Sequence, residues 1–310
     1  MSGANAVKAR NGKPVAVILN PTAGGHRQGY WKRMESRFAA RFGEFTLFET
    51  EQRGHATELA RQALDSGHKD FISCGGDGTL NEVINGLVAN GGPMAPDTRI
   101  WVAPGGTATD SVRWLRRNGR AGTWVNADVG EAVFTGHDGG ETRRCFVNAA
   151  GFGISGLIAR DVEHAPRFLG GRFAFLWAVL LRLPRFSAPE MRVETDGAAW
   201  NGRAIETAVA NGGSYGGGIP IAPEARFDSN QFEVVHIRNL SWFAALRRLP
   251  ALYRGRLDKY PDIVQYARGT RVRIETDPPI PVNLDGEVPG MTPATITMLP
   301  WKLPLALAPV

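Results

Sequence analysis

The chain holds 310 residues, 43% hydrophobic and 21% charged, proportions normal for a globular protein with room for one large or two ordinary cores. Its 36 basic and 30 acidic residues leave a net charge of +6, a mild bias compatible with nucleotides, nucleic acid or anionic lipid surfaces. No zinc spacing, RNP-like aromatic motif or dense Lys/Arg block favours nucleic acid, and no run reaches the ~18 apolar residues of a membrane span.

The two cysteines, Cys74 and Cys145, and a polar N-terminus over residues 1–13 without a signal peptide's apolar run fit a reducing cytoplasm. Residues 15–19 are an apolar run ending in Asn20-Pro21-Thr22-Ala23-Gly24-Gly25, the pattern of a buried parallel strand entering a glycine turn. A helix over 28–41 and a strand over 45–49 follow, then Thr50 and Gly54-His55-Ala56 opening the next helix. Residues 71–73 read as a strand leading into Cys74-Gly75-Gly76-Asp77-Gly78-Thr79-Leu80-Asn81-Glu82. Thr79 and Glu82 have capping-box spacing, and Leu80, Val83, Ile84, Leu87 and Val88 make one apolar helical stripe. Such a turn aims bare backbone N–H groups and the positive end of a helix dipole at one point, which suits a phosphate. Taken alone, Gly-Asp-Gly is equally an ordinary tight turn.

A further strand over 99–103 ends in Pro104-Gly105-Gly106-Thr107-Ala108-Thr109-Asp110. Strands alternating with helices argue for a parallel α/β sheet, with its glycine-rich loops at strand C-terminal ends, where such sheets bind ligands. No Gly-Lys-Ser/Thr follows at Walker A spacing. Beyond residue 120 the texture changes to short β-branched runs (124–129, 144–150, 191–195, 204–210, 232–237 and 271–275) broken by Gly, Pro, Asn and Asp, a mostly-β second domain. Gly151-Phe152-Gly153-Ile154-Ser155-Gly156 spells Gly-x-Gly-x-x-Gly after a strand. No βαβ unit surrounds it, so it is not read as a dinucleotide site. Residues 166–186 interleave Trp177, phenylalanines and leucines with Arg167, Arg172, Arg182 and Arg185, either a buried helix with solvated ends or an interfacial helix meeting an anionic membrane. Near the end, Asp285 and Glu287 flank a glycine just past a strand and can both point into a cleft, although an Asp-Gly turn alone would need no chemistry.

Gly75-Gly76-Asp77-Gly78-Thr79 followed by Asn81-Glu82-Val83 resembles the nucleotide-binding loop of the diacylglycerol kinase catalytic-domain family, which includes bacterial lipid kinases and sphingosine kinases. The likeness runs through at least five motifs in family order over roughly residues 14–305. It implies an α/β fold, with an N-terminal parallel-sheet NAD-kinase-like nucleotide domain (14–122) after a flexible N-terminus (1–13). A mostly-β, sandwich-like lipid-substrate domain (123–290) and a C-terminal segment returning to the first domain (291–310) complete it. The implied activity is transfer of the γ-phosphate of ATP to the hydroxyl of a lipid such as diacylglycerol or a sphingoid base. The alternatives are an NAD-kinase-like enzyme with a soluble substrate, or a catalytically impaired nucleotide- or lipid-binding regulator.

By the same resemblance, Asn20, Pro21, Thr22, Ala23, Gly24, Thr50, Gly75, Gly76, Asp77, Gly78, Thr79, Leu80, Asn81, Thr107 and Asp110 lie against ATP, and Mg²⁺ accompanies it. Glu287 is the base and Asp285 orients it or the metal. Three positions depart from the family pattern: Ala23 for a common serine, Thr109 for an asparagine, and Ser229 where relatives carry an aspartate on a structural Mg²⁺. The adjacent Asp228 is the substitute ligand if that metal is kept. The implied partners are a lipid alcohol, an anionic membrane surface touched transiently and a second copy of the chain, with no nucleic acid. The expected location is cytoplasmic, peripheral to the membrane.

Overall fold

The computed structural model describes residues 13–23, 30–88, 92, 94–104, 110–118, 121–163 and 170–309. The chain divides into two compact units, residues 1–127 with 302–310, and residues 128–301.

In the first unit β1 (Val15–Leu19), α1 (Tyr30–Phe42), β2 (Phe45–Glu49), α2 (His55–Asp65), β3 (Asp70–Gly75), α3 (Asp77–Leu87), β4 (Arg99–Pro104) and α4 (Asp110–Asn118) alternate. β1 lies between β2 and β3, and β4 lies beyond β3, all paired in parallel. Every residue of β1 and β3 is buried, as expected of strands covered on both faces, whereas β2 at the edge is only half covered. Val15, Val17, Leu19, Phe38, Phe42, Ile72 and Trp101 form the core between sheet and helix. The α3 stripe is buried as the spacing predicts, but Thr79, Asn81, Glu82 and Gly86 are buried too. Gly86 allows this, because a Cβ there would run into the Thr57 carbonyl and Ala60 of α2.

The second unit is built from β5 (Trp124–Gly136, whose first four residues belong to the first unit), β6 (Glu141–Phe146), β7 (Ala149–Gly153), α5 (Ile154–Glu163), α6 (Gly170–Arg182), β8 (Glu190–Thr195) and β9 (Ala199–Ala210). β10 (Phe232–Arg238), α7 (Trp242–Tyr253), β11 (Val264–Gly269), β12 (Arg271–Asp277), β13 (Pro281–Leu284) and β14 (Glu287–Leu307) follow. Its pairings are antiparallel and close a circuit, β9–β7–β13–β14–β12–β8 and back to β9. Closure leaves those strands without free edges and gathers Phe146, Phe152, Met191, Val193, Val209, Phe232, Val272, Ile274 and Val282 into one core. The run read as one strand over 144–150 is two, because Val147 and Asn148 turn between β6 and β7. The tail leaves the second unit after Trp301 rather than at 291, since residues 287–291 pair with β13 and 294–297 with β12. Its last strand residues, Leu305–Leu307, pair in parallel with β4.

Candidate functional site

One candidate feature, in the first unit, is the junction of β3 and α3. Gly76 is extended (φ −90°, ψ −173°) and α3 begins at Asp77, one residue past the strand. A Cβ on Gly75 would overlap the Thr79 side chain, so only glycine lets the first turn of α3 fold back over the strand end. A Cβ on Gly76 would instead meet nothing within 4 Å. The capping box expected from Thr79 and Glu82 does not form. Thr79 already lies inside the helix, where its Oγ1 accepts from Asn20 Nδ2 at 3.2 Å. Glu82 reaches across to α2, its two oxygens accepting from Gly54 N (2.9 Å) and Ala56 N (3.1 Å). Spacing alone cannot show this, because the carboxylate serves a helix start 28 residues earlier in the chain.

Asp77 does the same for α4. Its Oδ2 accepts from Asp110 N at 2.7 Å and its Oδ1 from Ser111 N at 3.1 Å. Burial, and after it the neighbouring Asp110 carboxylate, push the Asp77 carboxyl up to about 7. Asp110 is buried and paired with Arg113 at 2.9 Å. Asn20 closes β1 by donating its N–H to Cys74 O (2.9 Å) and holds an Asx turn, its Oδ1 accepting from Thr22 N (3.0 Å) and Thr22 Oγ1 (2.8 Å). Ala23 N donates to Asn20 O at 3.3 Å and Pro21 is exposed. Thr50 is buried at the end of β2, its N–H on Leu19 O. Leu80 and Asn81 are buried within α3, and Gly78 occupies its first turn. His55 is the first residue of α2, its Nδ1 accepting from Glu51 N at 3.1 Å. Gly24 and Thr107, also expected beside the nucleotide, lie outside the described residues.

Another candidate feature, in the second unit, is the β13–β14 hairpin. Leu284 pairs with Glu287 across a two-residue turn, and Asp285 (φ 51°) and Gly286 (φ 95°) both have positive φ, as a type I′ turn demands. The Asp285 carboxylate is more than a turn residue. Oδ2 accepts from Val147 N (2.9 Å), and Oδ1 from Asn148 N and Ala149 N (2.9 Å each), clasping the backbone between β6 and β7. Glu287 is partly exposed beside it, at the start of β14. Burial, then the charges of Glu131 and Asp285, push the nearby Cys145 thiol up to about 12, so it is no nucleophile. Sequence reasoning assigned no role to Asn148 or Asn211 here. Asn211 Nδ2 donates to Asp128 O and Val147 O at 2.7 Å each, and the amide oxygens of both asparagines are buried without a partner.

Asp228 is poorly suited to a structural cation. Both its oxygens accept from the Arg226 guanidinium, at 3.1 and 3.2 Å. Ser229 Oγ lies within hydrogen-bond reach of two carbonyls, Arg226 O (3.0 Å) and Gln231 O (2.7 Å), a place a hydroxyl fills without a metal. Among the described residues no group of three or more His, Cys, Asp and Glu side chains could hold a metal ion.

A second feature of this unit is a cavity of about 110 Å³ between α5, α6, α7 and β9. Of its lining only Ser155, Glu206, Tyr215, Arg248 and Tyr260 are polar; the rest is aliphatic or phenylalanine. Burial raises the Glu206 carboxyl to about 7. Its one sequence signal was a charged residue inside the otherwise uncharged stretch 204–210 of β9. Four of the six exposed large apolar side chains among the described residues, Leu180, Leu181, Trp242 and Phe243, lie on α6 and α7.

A nucleotide-type α/β unit with a glycine turn uncapped among the described residues, and a β unit holding a carboxylate hairpin and an apolar cavity, are in keeping with the class of lipid kinases. The diacylglycerol kinase catalytic domain matches residues 14–133, and the YegS C-terminal NAD kinase beta sandwich-like domain matches residues 148–307. The chain belongs to the diacylglycerol kinase catalytic-domain family. It is 28% identical over 301 residues to a diacylglycerol kinase of Staphylococcus carnosus, covering 93% of this chain and 92% of that one. A Staphylococcus aureus diacylglycerol kinase is 27% identical over 299 residues, with 93% and 90% covered. In fold it is similar to a solved diacylglycerol kinase from Bacillus anthracis (TM-score 0.71, 23% identity, 96% of this chain and 98% of that chain). No described helix is long and apolar enough to cross a membrane.

Proposed function

We propose that this protein transfers the γ-phosphate of ATP to the hydroxyl of a lipid alcohol. The observation that carries the reading is the bare start of α3. The first turns of α2, α4, α5 and α7 each donate a backbone N–H to a side chain, from Glu82, Asp77, Glu206 and Ser241 respectively. Among the described residues no side chain accepts from the first N–H groups of α3, and the Gly76 Cα faces open space. Orphan donors, a helix dipole and room for close approach are what nucleotide phosphates need. Asn20 and Thr22 on the neighbouring strand end, with Thr50, complete the cradle, and Asp110 stands beside it in this reading. The donor set fits phosphate oxygens. Mg²⁺ would be held by those oxygens and by water, and when bound would offset their charge.

In this mechanism Glu287 takes the proton from the lipid hydroxyl as it attacks the γ-phosphate. Asp285 is a positioning residue, fixing the hairpin that carries Glu287. The apolar cavity supports a lipid as acceptor, because a soluble polyol would leave its hydroxyls unpaired against so many aliphatic groups. The exposed Leu180, Leu181, Trp242 and Phe243 near Arg185 and Arg247 support brief contact with an anionic membrane. Co-sedimentation with anionic vesicles tests that part, and unchanged recovery in the supernatant removes it.

The decisive experiment incubates purified protein with labelled ATP and a lipid panel, with and without Mg²⁺. Label entering a lipid only when Mg²⁺ is present supports the reading; label entering only soluble acceptors overturns it. Glu287→Gln should keep the fold and ATP binding and lose roughly 10²-fold or more in turnover. Near-normal turnover would remove Glu287 from its role.

A further inference from the structure

The two peptide units that link β6 to β7 are held from both sides. On one side they donate to the Asp285 carboxylate, Oδ1 accepting from Asn148 N and Ala149 N at 2.9 Å each. On the other side their carbonyls accept from the end of β9. Asn211 Nδ2 donates to Val147 O at 2.7 Å, and the Asn211 and Gly212 N–H groups donate to Asn148 O at 2.9 and 2.7 Å. Val147 O and Asn148 N belong to one peptide unit, as do Asn148 O and Ala149 N. Each unit therefore relays a bond from residues 211 and 212 to one oxygen of Asp285, and bonds in such a chain polarise one another. Gly212 permits the approach, since a Cβ there would overlap Asn148 Oδ1 and the Phe227 ring.

The orientation of the Asn211 side chain is fixed by its partners. Its Nδ2 also donates to Asp128 O at 2.7 Å, and carbonyl oxygens only accept, so the nitrogen must face them. That orientation leaves Asn211 Oδ1 buried with no partner. An apolar side chain filling this space would leave no buried acceptor unmatched, so what the asparagine contributes is its two donors. Resting on the lipid-kinase reading above, we infer that Asn211 is a further positioning residue. It holds the β6–β7 link against Asp285, and through that carboxylate it sets the hairpin that carries Glu287. Asp285 N returns a bond to Ala149 O at 3.0 Å, and Leu284 pairs with Glu287 across the turn, so a shift of the link moves Glu287 with it. Displacing a reacting group by about 1 Å can cost on the order of 10²-fold in rate. All of these residues lie in the second unit.

Two measurements separate this inference from the kinase reading. The first needs no catalysis and follows hydrogen exchange at the Asn148 and Ala149 amides of the whole protein. Asn211→Ala should speed it about tenfold or more, while β12 amides change less than about threefold. Asp285→Gly removes the carboxylate at a positive φ that glycine adopts freely, and in that background Asn211→Ala should add less than about threefold. Unchanged exchange at 148 and 149, or an equal effect in both backgrounds, overturns the inference. The second measurement is kinetic. Asn211→Ala should lower kcat about tenfold or more, with KM for ATP and for the lipid within about twofold. Val272→Ala, a cavity on β12 in the core of the same unit, measures plain destabilisation and should keep kcat within about twofold. A kcat that Asn211→Ala leaves unchanged, or a loss that Val272→Ala matches, overturns the inference and leaves the kinase standing. A protein that phosphorylates no lipid yet shows the faster, Asp285-dependent exchange does the reverse: the kinase reading falls and the tie between Asn211 and Asp285 stands. If Asn211→Ala does not fold, Asn211→Ser, which keeps one donor, takes its place. It should speed exchange at 148 and 149 and lower kcat by about threefold or more, and the absence of either effect overturns the inference.

Discussion

Asp77 sits in the family's glycine loop, yet the structure shows it occupied, and removing its carboxylate separates a structural role from a chemical one. Its two oxygens accept from Asp110 N and Ser111 N in a buried setting. Deleting a helix N-cap acceptor costs about 0.5–2 kcal/mol, and leaving a buried N–H without a partner costs about 1–3 kcal/mol. Asp77→Ala should therefore weaken the start of α4 by about 2–4 kcal/mol. Asp77→Asn keeps one oxygen and so one of the two bonds, and should cost about half as much. The assay is hydrogen exchange at the Asp110 and Ser111 amides at pH 8, above the value of about 7 for the Asp77 carboxyl, so that the wild type is ionised. A loss of 2–4 kcal/mol appears there as roughly 30- to 1,000-fold faster exchange, with β1 and β3 amides much less affected. Unchanged exchange at 110 and 111 together with abolished turnover would refute the reasoning and return Asp77 to the chemistry.

Three further outcomes follow from the geometry. Gly76→Ala meets no atom within 4 Å at a φ any residue adopts, so stability should hold within about 0.5 kcal/mol while ATP affinity, read by calorimetry, falls tenfold or more; unchanged affinity would place the phosphates elsewhere. Asp285→Asn keeps Asp's tolerance of positive φ but loses the bond to Val147 N, costing about 1–3 kcal/mol in a urea melt and slowing turnover through a loosened hairpin. His236 is buried against Thr207 Oγ1 (2.8 Å) and stacked on Trp200, and burial, then Arg238, lower it to about 4 from an ordinary 6.5. The unfolded chain then binds more protons between those values, so this contribution is complete above about pH 6.5 and is lost as pH falls towards 4. It is worth up to about 3 kcal/mol. The stability difference between wild type and His236→Gln should shrink over that window, and a flat difference would show that the histidine does not titrate.

What the sequence could and could not reveal follows from how far each interaction reaches. Apolar runs such as residues 15–19 and 71–73 are local signals, and they fall on β1 and β3. The helix α7 gave no clear signal, because its exposed Trp242 and Phe243 and its internal Pro250 blur the apolar period. The roles of Asp77, Glu82, Glu206 and Asp285 were illegible for a different reason. Each carboxylate serves backbone 26 to 138 residues away in the chain. Thr79 and Glu82 show the cost of reading only locally: the right residue types at the right spacing, with the partner on another helix.

That long-range use of carboxylates also explains why α3 is the element on which the first unit depends. Its first six residues carry two of them, and each holds the start of a neighbouring helix: Asp77 that of α4, Glu82 that of α2. The N-termini of α2, α3 and α4 are thus tied within side-chain reach of one another, and three positive dipole ends gather around one glycine turn. Two of those ends are satisfied by protein carboxylates, and among the described residues the third is left bare. An anion arriving from outside meets a field built by all three helices but only one set of unclaimed N–H groups. A loop of this kind would bind phosphate through geometry fixed before the ligand arrives, with no side chain of its own needed to hold the charge. Loosening either tie, at Asp77 or at Glu82, should weaken nucleotide binding by displacing dipoles, even though neither carboxylate can itself attract a phosphate.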